Sequence, residues 1–176
     1  LKNLYIKSNS LESIAEDDFF VLHNLTELNL SNNRLKIIKK RSFLGLENLE
    51  ILDLWRNLIE SIEEEGFFVL KNLFKLILYE NKIKIIKKGS FLGLDNLRII
   101  NLESNLIEFI EEEGFYGLHN LTELNLLKNK IKIIKKKSFY GLSTLQILNL
   151  RQNSIEFVEE KGFYGLFDLI ELDLST

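Results

Sequence analysis

The chain is predicted to fold as a stacked solenoid, not as a globule around one closed core, and three observations carry that prediction. A phrase recurs at a fixed period of 24 residues, as in Leu25-Thr-Glu-Leu28-Asn-Leu30-Ser-Asn-Asn33, Leu49-Glu-Ile-Leu52-Asp-Leu54-Trp-Arg-Asn57 and Leu73-Phe-Lys-Leu76-Ile-Leu78-Tyr-Glu-Asn81. Within each phrase two apolar residues stand two apart, which is the spacing of one face of a short strand. An Asn and a Phe return at the same place in every complete repeat. Units of this size cannot bury their own hydrophobic face and must stack on their neighbours.

Each element follows from its seat, counted from the first Leu of the repeat. Repeats start at 1, 25, 49, 73, 97, 121 and 145, with a partial eighth from 169, so residues 1–176 read as a single array without caps. Seats 4 and 6 are Leu or Ile throughout, for example Leu28 with Leu30 and Ile100 with Leu102. Strands carrying them stack in parallel at about 4.8 Å, so eight of them span roughly 34 Å. Seat 9 is Asn in all seven complete repeats, from Asn9 to Asn153. The Asn amide is both donor and acceptor, so a column of them satisfies backbone groups left unpaired where the chain turns off the strand. Seats 11 and 14 return to the core, as in Leu35 with Ile38. Seat 19 is always Phe and seat 22 always Leu, and this regularity marks the aromatics as core rather than as a ligand box. Each Phe→Ala change there is expected to cost about 3–5 kcal/mol.

The phrase L-x-x-L-x-L-x-x-N-x-L-x-x-I-x-x-x-x-F-x-x-L-x-N resembles the leucine-rich repeat of animal extracellular proteins, the type found in Toll-type receptors, Slit-like guidance proteins and chaoptin-like adhesion proteins. The resemblance covers the whole chain. It implies an α/β solenoid: a curved right-handed coil with a parallel β-sheet on the concave face and irregular segments or short helical turns on the convex side. The family often places Pro at seat 15. Here that seat holds Ala15, Lys39, Glu63, Lys87, Glu111, Lys135 and Glu159, and the chain has no Pro at all.

A second period of 48 residues overlies the first. Seat 12 runs Glu12, Lys36, Glu60, Lys84, Glu108, Lys132, Glu156, and seat 16 runs Glu16, Lys40, Glu64, Lys88, Glu112, Lys136, Glu160. Odd repeats are acidic and even repeats basic. Alternation converts each column into an ion-pair ladder and sets like charge on like if the register slips by one repeat. Each exposed pair contributes only about 0–1 kcal/mol. Duplication of a two-repeat unit explains the same pattern.

Composition excludes several functions. With 45% hydrophobic residues the chain buries a continuous core, and its net charge of −3 favours neither nucleic acid nor an anionic membrane. The basic triplets Lys39-Lys40-Arg41 and Lys135-Lys136-Lys137 are flanked by acidic coils, so no basic stripe forms. The runs Glu63-Glu64-Glu65 and Glu111-Glu112-Glu113 lack a turn that gathers carboxylates around calcium. With no Cys there is no zinc–thiolate site, thiol nucleophile or disulfide. His23 and His119 lie four repeats apart, too far to share a metal. No Ser–His–Asp set or phosphate-binding Gly-rich loop converges, so no enzyme, cofactor, metal or small-molecule substrate is expected. No apolar run reaches the roughly 20 residues of a membrane helix. The absence of Met and the start on a repeat Leu suggest a piece of a longer array, and uncapped coils are expected to pair end to end or aggregate.

Function is expected on the variable seats of the sheet. Seat 7 reads Lys7, Ser31, Trp55, Tyr79, Glu103, Leu127, Arg151, Ser175, which places the only Trp beside Tyr79 on the adjacent strand. Asp53, Arg56, Lys75, Ile77 and Glu80 surround them, and Leu127 lies two coils beyond Tyr79. Trp, Tyr and Arg dominate binding hot spots, although cross-strand aromatic pairs also stabilise sheets. Three N-x-S/T sequons mark Asn24, Asn29 and Asn120 as N-glycosylation candidates. The favoured reading is a protein-binding module of an extracellular or receptor array, with a protein ligand or co-receptor on the concave sheet. The alternatives are an intracellular scaffold or adaptor, and a structural or adhesive array that associates with itself.

Overall fold

The computed structural model describes residues 1–176. Eight three-residue strands sit at seats 3–5: β1 (Asn3–Tyr5), β2 (Glu27–Asn29), β4 (Ile51–Asp53), β6 (Lys75–Ile77), β8 (Ile99–Asn101), β10 (Glu123–Asn125), β12 (Ile147–Asn149) and β14 (Glu171–Asp173). They form one parallel sheet in chain order, offset by one repeat at each step, so that Leu28 lies between Leu4 and Leu52. Six two-residue strands occupy seats 13–14: β3 (Ile37–Ile38), β5 (Ser61–Ile62), β7 (Ile85–Ile86), β9 (Phe109–Ile110), β11 (Ile133–Ile134) and β13 (Phe157–Val158). These pair only as β3–β5, β7–β9 and β11–β13, always an even repeat with the odd repeat that follows. Of the irregular segments or short helical turns expected on the convex side, the irregular kind is observed. The convex side consists of turns and these short ladders, and no helix is long and apolar enough to cross a membrane.

The core is one cluster of 40 buried side chains drawn from seats 1, 4, 6, 11, 14, 19 and 22. Its spine is the Phe stack, in which neighbouring rings lie 5.7–6.4 Å apart and within 11° of parallel. The Asn column performs the expected accounting of backbone groups. Asn81 Nδ2 donates to the Leu78 carbonyl of its own coil and to the Leu54 carbonyl of the preceding coil, while its Oδ1 accepts from the Ile59 N–H. The same three bonds recur at Asn57, Asn105, Asn129 and Asn153.

Seat 8, and seat 17 from the second repeat onward, are left-handed although all but Gly89 are ordinary residues, as at Arg56 (φ 52°), Glu80 (φ 53°), Arg41 (φ 64°) and Lys137 (φ 54°). Seat 21 shows where glycine is required. At Gly93, φ is +89° and an added Cβ would lie 2.4 Å from the Phe68 carbonyl oxygen.

The charge columns behave differently from the expected vertical ladder. Only Lys132 and Glu156 approach within one column, at 4.0 Å. The close pairs are diagonal and join seat 16 to seat 17 of the next or previous coil: Lys40–Glu65, Arg41–Glu16 and Lys88–Glu113 at 2.6 Å, and Lys137–Glu112 at 3.2 Å. All are surface pairs, so they adjust register more than they hold the fold.

Candidate functional site: the concave sheet

The variable seats project from the sheet or lie at its edge, and the aromatic pair lies near its middle. Trp55 and Tyr79 stack at 6.2 Å with their planes 3° apart, and both remain half-buried. Not every seat-7 residue is presented to solvent, however. Ser31, on the coil before Trp55, is buried, because its hydroxyl turns back to donate to Asn29 Oδ1 at 2.6 Å.

A brace that was not anticipated from the sequence sets the orientation of these side chains. In six repeats the seat-5 Asn or Asp accepts the seat-7 N–H through its Oδ1, as Asp53 does from Trp55 at 2.9 Å and Asn101 from Glu103 at 2.9 Å. This Asx turn fixes where seat 7 points. Its sequence signal was available in Asn29, Asp53, Asn101, Asn125, Asn149 and Asp173. Ile77 breaks the series, so the Tyr79 N–H has no such acceptor and an apolar side chain stands between the braced strands.

The electrostatics follow from burial. Asp53 is half-buried, which raises its carboxyl above the ordinary value. The bond from Trp55 N–H, the charges of Lys7 and Lys75, and a 3.0 Å bond from Asn29 Nδ2 oppose that shift. The Tyr79 phenol is also raised, first by hydrogen bonding with Glu80, then by desolvation, and then by the charges of Glu80 and Glu103. The Trp55 indole N–H is shielded from solvent without a hydrogen-bond partner.

The sheet therefore gathers Asp53, Trp55, Ile77 and Tyr79 on two neighbouring strands and the turns that follow them. Arg56 is exposed and Glu80 half-buried beside the aromatic pair, while Lys75 lies between Ile51 and Ile99 on the strands either side. Glu103 accepts from Asn125 Nδ2 at 3.1 Å and separates the patch from Leu127, which stands apart. Ile99 and Ile147 extend the apolar character into a shallow depression shared with Ile77, Asn101, Asn125 and Asn149. Their signal was a seat 3 that is Ile in repeats 3, 5 and 7 and charged in the even ones between.

Of the sequon residues, Asn24 and Asn120 are exposed, and Asn120 Nδ2 donates to the Asp95 carbonyl at 2.7 Å. Asn29 is half-buried, with its amide committed to Asp53 and Ser31. His23 and His119 lie edge-on against Phe20 and Tyr116, each at 5.7 Å.

A family model described as leucine rich repeat matches residues 1–54, 47–107, 86–131 and 119–176. Leucine-rich repeat-containing protein 3B, from Homo sapiens, Mus musculus and Bos taurus alike, is 44% identical over 57 residues, which is 32% of this chain and 22% of that protein. Among solved structures, one described as a complex of TLR13 with ssRNA13 superposes with a TM-score of 0.92 at 34% identity, over 98% of this chain and 24% of that one. A chain of the octameric complex of latrophilin 3, Unc5D and FLRT2 superposes with a TM-score of 0.83 at 23% identity, over 99% of this chain and 53% of that one, which is a likeness of fold. The matched segment spans under a quarter of the length of the curated relatives.

Proposed function

The chain belongs to the leucine-rich-repeat family, and from that premise we propose that it is a non-enzymatic recognition module that grips a protein partner on its concave sheet. The Trp55–Tyr79 stack carries this reading, because it is half-open to solvent where the Asx brace is interrupted by Ile77. Aromatic anchors with an apolar neighbour and a charged rim are the composition of a binding hot spot. The rim holds Arg56 and Lys75 against Asp53, Glu80 and Glu103, so a partner of mixed charge fits it better than a polyanion does. That favours protein over nucleic acid, although one of the similar structures is described as an RNA complex. The likeness to the TLR13 chain at 34% identity, together with the resemblance of the repeat to that of animal extracellular proteins, supports an extracellular or lumenal setting. Glycans at Asn24 and Asn120 fit that setting and leave the aromatic patch clear, and Asn29 is the poorest acceptor of the three.

The single Trp makes the test direct. Purified extracellular proteins and a single-stranded RNA are titrated against the chain while Trp55 fluorescence and surface binding are followed. A protein ligand should perturb the fluorescence, and Trp55→Ala should weaken its binding by about 2 kcal/mol, close to thirtyfold, with the fold intact. RNA binding with a steep salt dependence, or protein binding indifferent to Trp55→Ala, would sink the reading.

A further inference from the structure

We infer that the convex face docks a second copy of this chain, related by a two-fold axis that runs along the strands and passes between β7 and β9. The inference rests on charges that the fold leaves without partners. On this face Lys36, Glu60, Lys84 and Glu108 of seat 12 are exposed and alternate in sign, and none of them lies within 4.0 Å of an opposite charge. The seat 16 and 17 charges, by contrast, are largely paired within the chain. Beside the unpaired column, seat 13 is apolar from repeat 4 onward, with Ile85 and Phe109 half-buried and Ile133 exposed. Lys135 Nζ lies 4.2 Å over the Phe109 ring, and Ser61 separates this strip from the exposed Ile37. An apolar strip bordered by unpaired alternating charge matches a surface with the same alternation shifted by one repeat, and a second copy of this chain carries that surface.

Symmetry selects the arrangement. A rotation about an axis parallel to the strands reverses the array but keeps seat 12 on the same flank, so seat 12 meets seat 12. An axis through a repeat would set like charge on like. An axis between repeats 4 and 5 sets Lys84 against Glu108 of the second copy and, one repeat further out, Glu60 against its Lys132, which also lies 4.0 Å from Glu156. The convex faces curve apart beyond that, so the rungs that meet at the axis are complementary. Each such contact occurs twice, as an isologous interface requires. Rotation about the long axis of the array instead sets seat 12 against seats 15 and 16 of the same repeat. Those carry the same sign, as with Lys84 opposite Lys87 and Lys88, and every rung is repulsive. The β7–β9 ladder also keeps the two central coils from splaying, which gives the contact a flat centre. Because this face lies behind the sheet, the proposal is independent of the role assigned to Trp55 and Tyr79.

The test is analytical ultracentrifugation of the chain across concentration and salt. A salt-sensitive dimerisation step is expected, distinct from end-to-end pairing of the open terminal coils, which is apolar and does not weaken as salt rises. Lys84→Glu creates two like-charge rungs at the axis and should raise the dissociation constant at least about tenfold, and Glu108→Lys should do the same. The double variant K84E/E108K restores opposite charges and should return the constant to within about threefold of the starting value. This rescue separates lost complementarity from a folding defect, which far-UV circular dichroism and urea midpoints check in each variant. A chain with no salt-sensitive association, a salt-sensitive step that Lys84→Glu leaves unchanged, no rescue in the folded double variant, or that step abolished by Trp55→Ala would overturn the proposal.

Discussion

The junction between repeats 4 and 5 and the junction between repeats 3 and 4 use the same seats, but they are not joined alike. At the first, β7 pairs with β9 on the convex side, Glu108 N–H donates to the Lys84 carbonyl and Glu111 N–H to the Ile86 carbonyl, both at 2.9 Å. At the second, the concave sheet is continuous, but no convex strands pair. The Phe stack records the same difference. Ring spacings are 5.7, 5.7 and 5.8 Å from an even repeat to the next odd one, and 6.4, 6.3 and 6.2 Å from an odd repeat to the next even one. The narrow spacings coincide with the junctions that carry a convex strand ladder, so the wider spacing, and with it the outward spread of the coils, enters at the alternate junctions, although at one of these Glu113 N–H donates to the Lys137 carbonyl at 3.1 Å. The chemical cause is seat 15. In odd repeats its Glu carboxylate accepts the seat-16 N–H of the preceding even coil, as Glu63, Glu111 and Glu159 do from Lys40, Lys88 and Lys136 at 2.8–3.0 Å. In even repeats seat 15 is Lys, which has no acceptor to offer.

The harshest way to break this pairing is Phe91→Ala, which removes a ring that touches one close and one wide neighbour. A loss of about 3–5 kcal/mol is expected from the cavity. Urea unfolding measures it. If blocks of two repeats are the cooperative units, the variant should also unfold with a smaller m-value, because the array divides at the wide junction. A full-sized m-value would mean the blocks do not separate.

Proline at seat 15 sharpens the comparison. Glu111→Pro deletes the N–H bonded to the Ile86 carbonyl together with the carboxylate that braces Lys88, so it should cost about 1–3 kcal/mol. Lys87→Pro occupies the same seat one repeat earlier, where the N–H donates no hydrogen bond, and should stay within about 0.5 kcal/mol of the parent. Amide exchange gives the same contrast without mutation, with slow exchange at Glu108 and Glu111 and fast exchange at Lys84 and Lys87. Equal costs for the two prolines would show that the convex ladder is not what joins the pairs.

The coil, its core seats and its Asn column were legible because each seat repeats one chemical demand seven times. Alternation of charge at seats 12, 15 and 16 was legible too, but its consequence was not. The sequence suggested vertical ladders, whereas seat 17 takes a left-handed backbone conformation and turns Arg41, Glu65, Glu113 and Lys137 toward the neighbouring coil, making the pairs diagonal. Such a conformation is invisible in a residue that is not glycine. At the concave site Trp55 beside Tyr79 followed from register alone. The brace from Asp53 did not, because a polar residue at an outward seat looks like surface until its Oδ1 is seen to meet a backbone N–H.

The concave rim yields a smaller effect. Asp53 receives a bond from Asn29 across the junction of repeats 2 and 3, and burial holds its carboxyl above the ordinary 3.8. The folded state therefore binds this proton more tightly than the unfolded state does. Its contribution favours folding below the ordinary value and is lost as pH rises through the folded value. Asp53→Asn removes that dependence, so the stability of the parent relative to the variant should fall as pH is raised from acid toward neutral. For a half-exposed group the change should be under about 1 kcal/mol. Urea midpoints of both proteins between pH 3 and 7 measure it, and a difference that rises with pH would reverse the assigned sign.

The smallest expected effect tests whether a wide junction can be closed. At two of the three odd-to-even junctions a seat-17 cation reaches back to the acidic coil, Arg41 to Glu16 and Lys137 to Glu112. At the third, seat 17 is Gly89, with φ +84°, and an added Cβ would lie 3.0 Å from Glu64 Cγ, a flexible side chain that can shift. Gly89→Lys supplies the missing partner at a seat where Arg41 and Lys137 already adopt the left-handed conformation. The surface pair gains about 0–1 kcal/mol and the stiffer unfolded chain adds a few tenths, against a left-handed cost of about 1–2 kcal/mol, so the net change should stay within about 1 kcal/mol. The readout is therefore local: slower amide exchange in the turns around Glu64 and Ser90, with the rest of the array unchanged. Exchange there that is as fast as in the parent would mean that backbone pairing, not side-chain charge, decides which coils close.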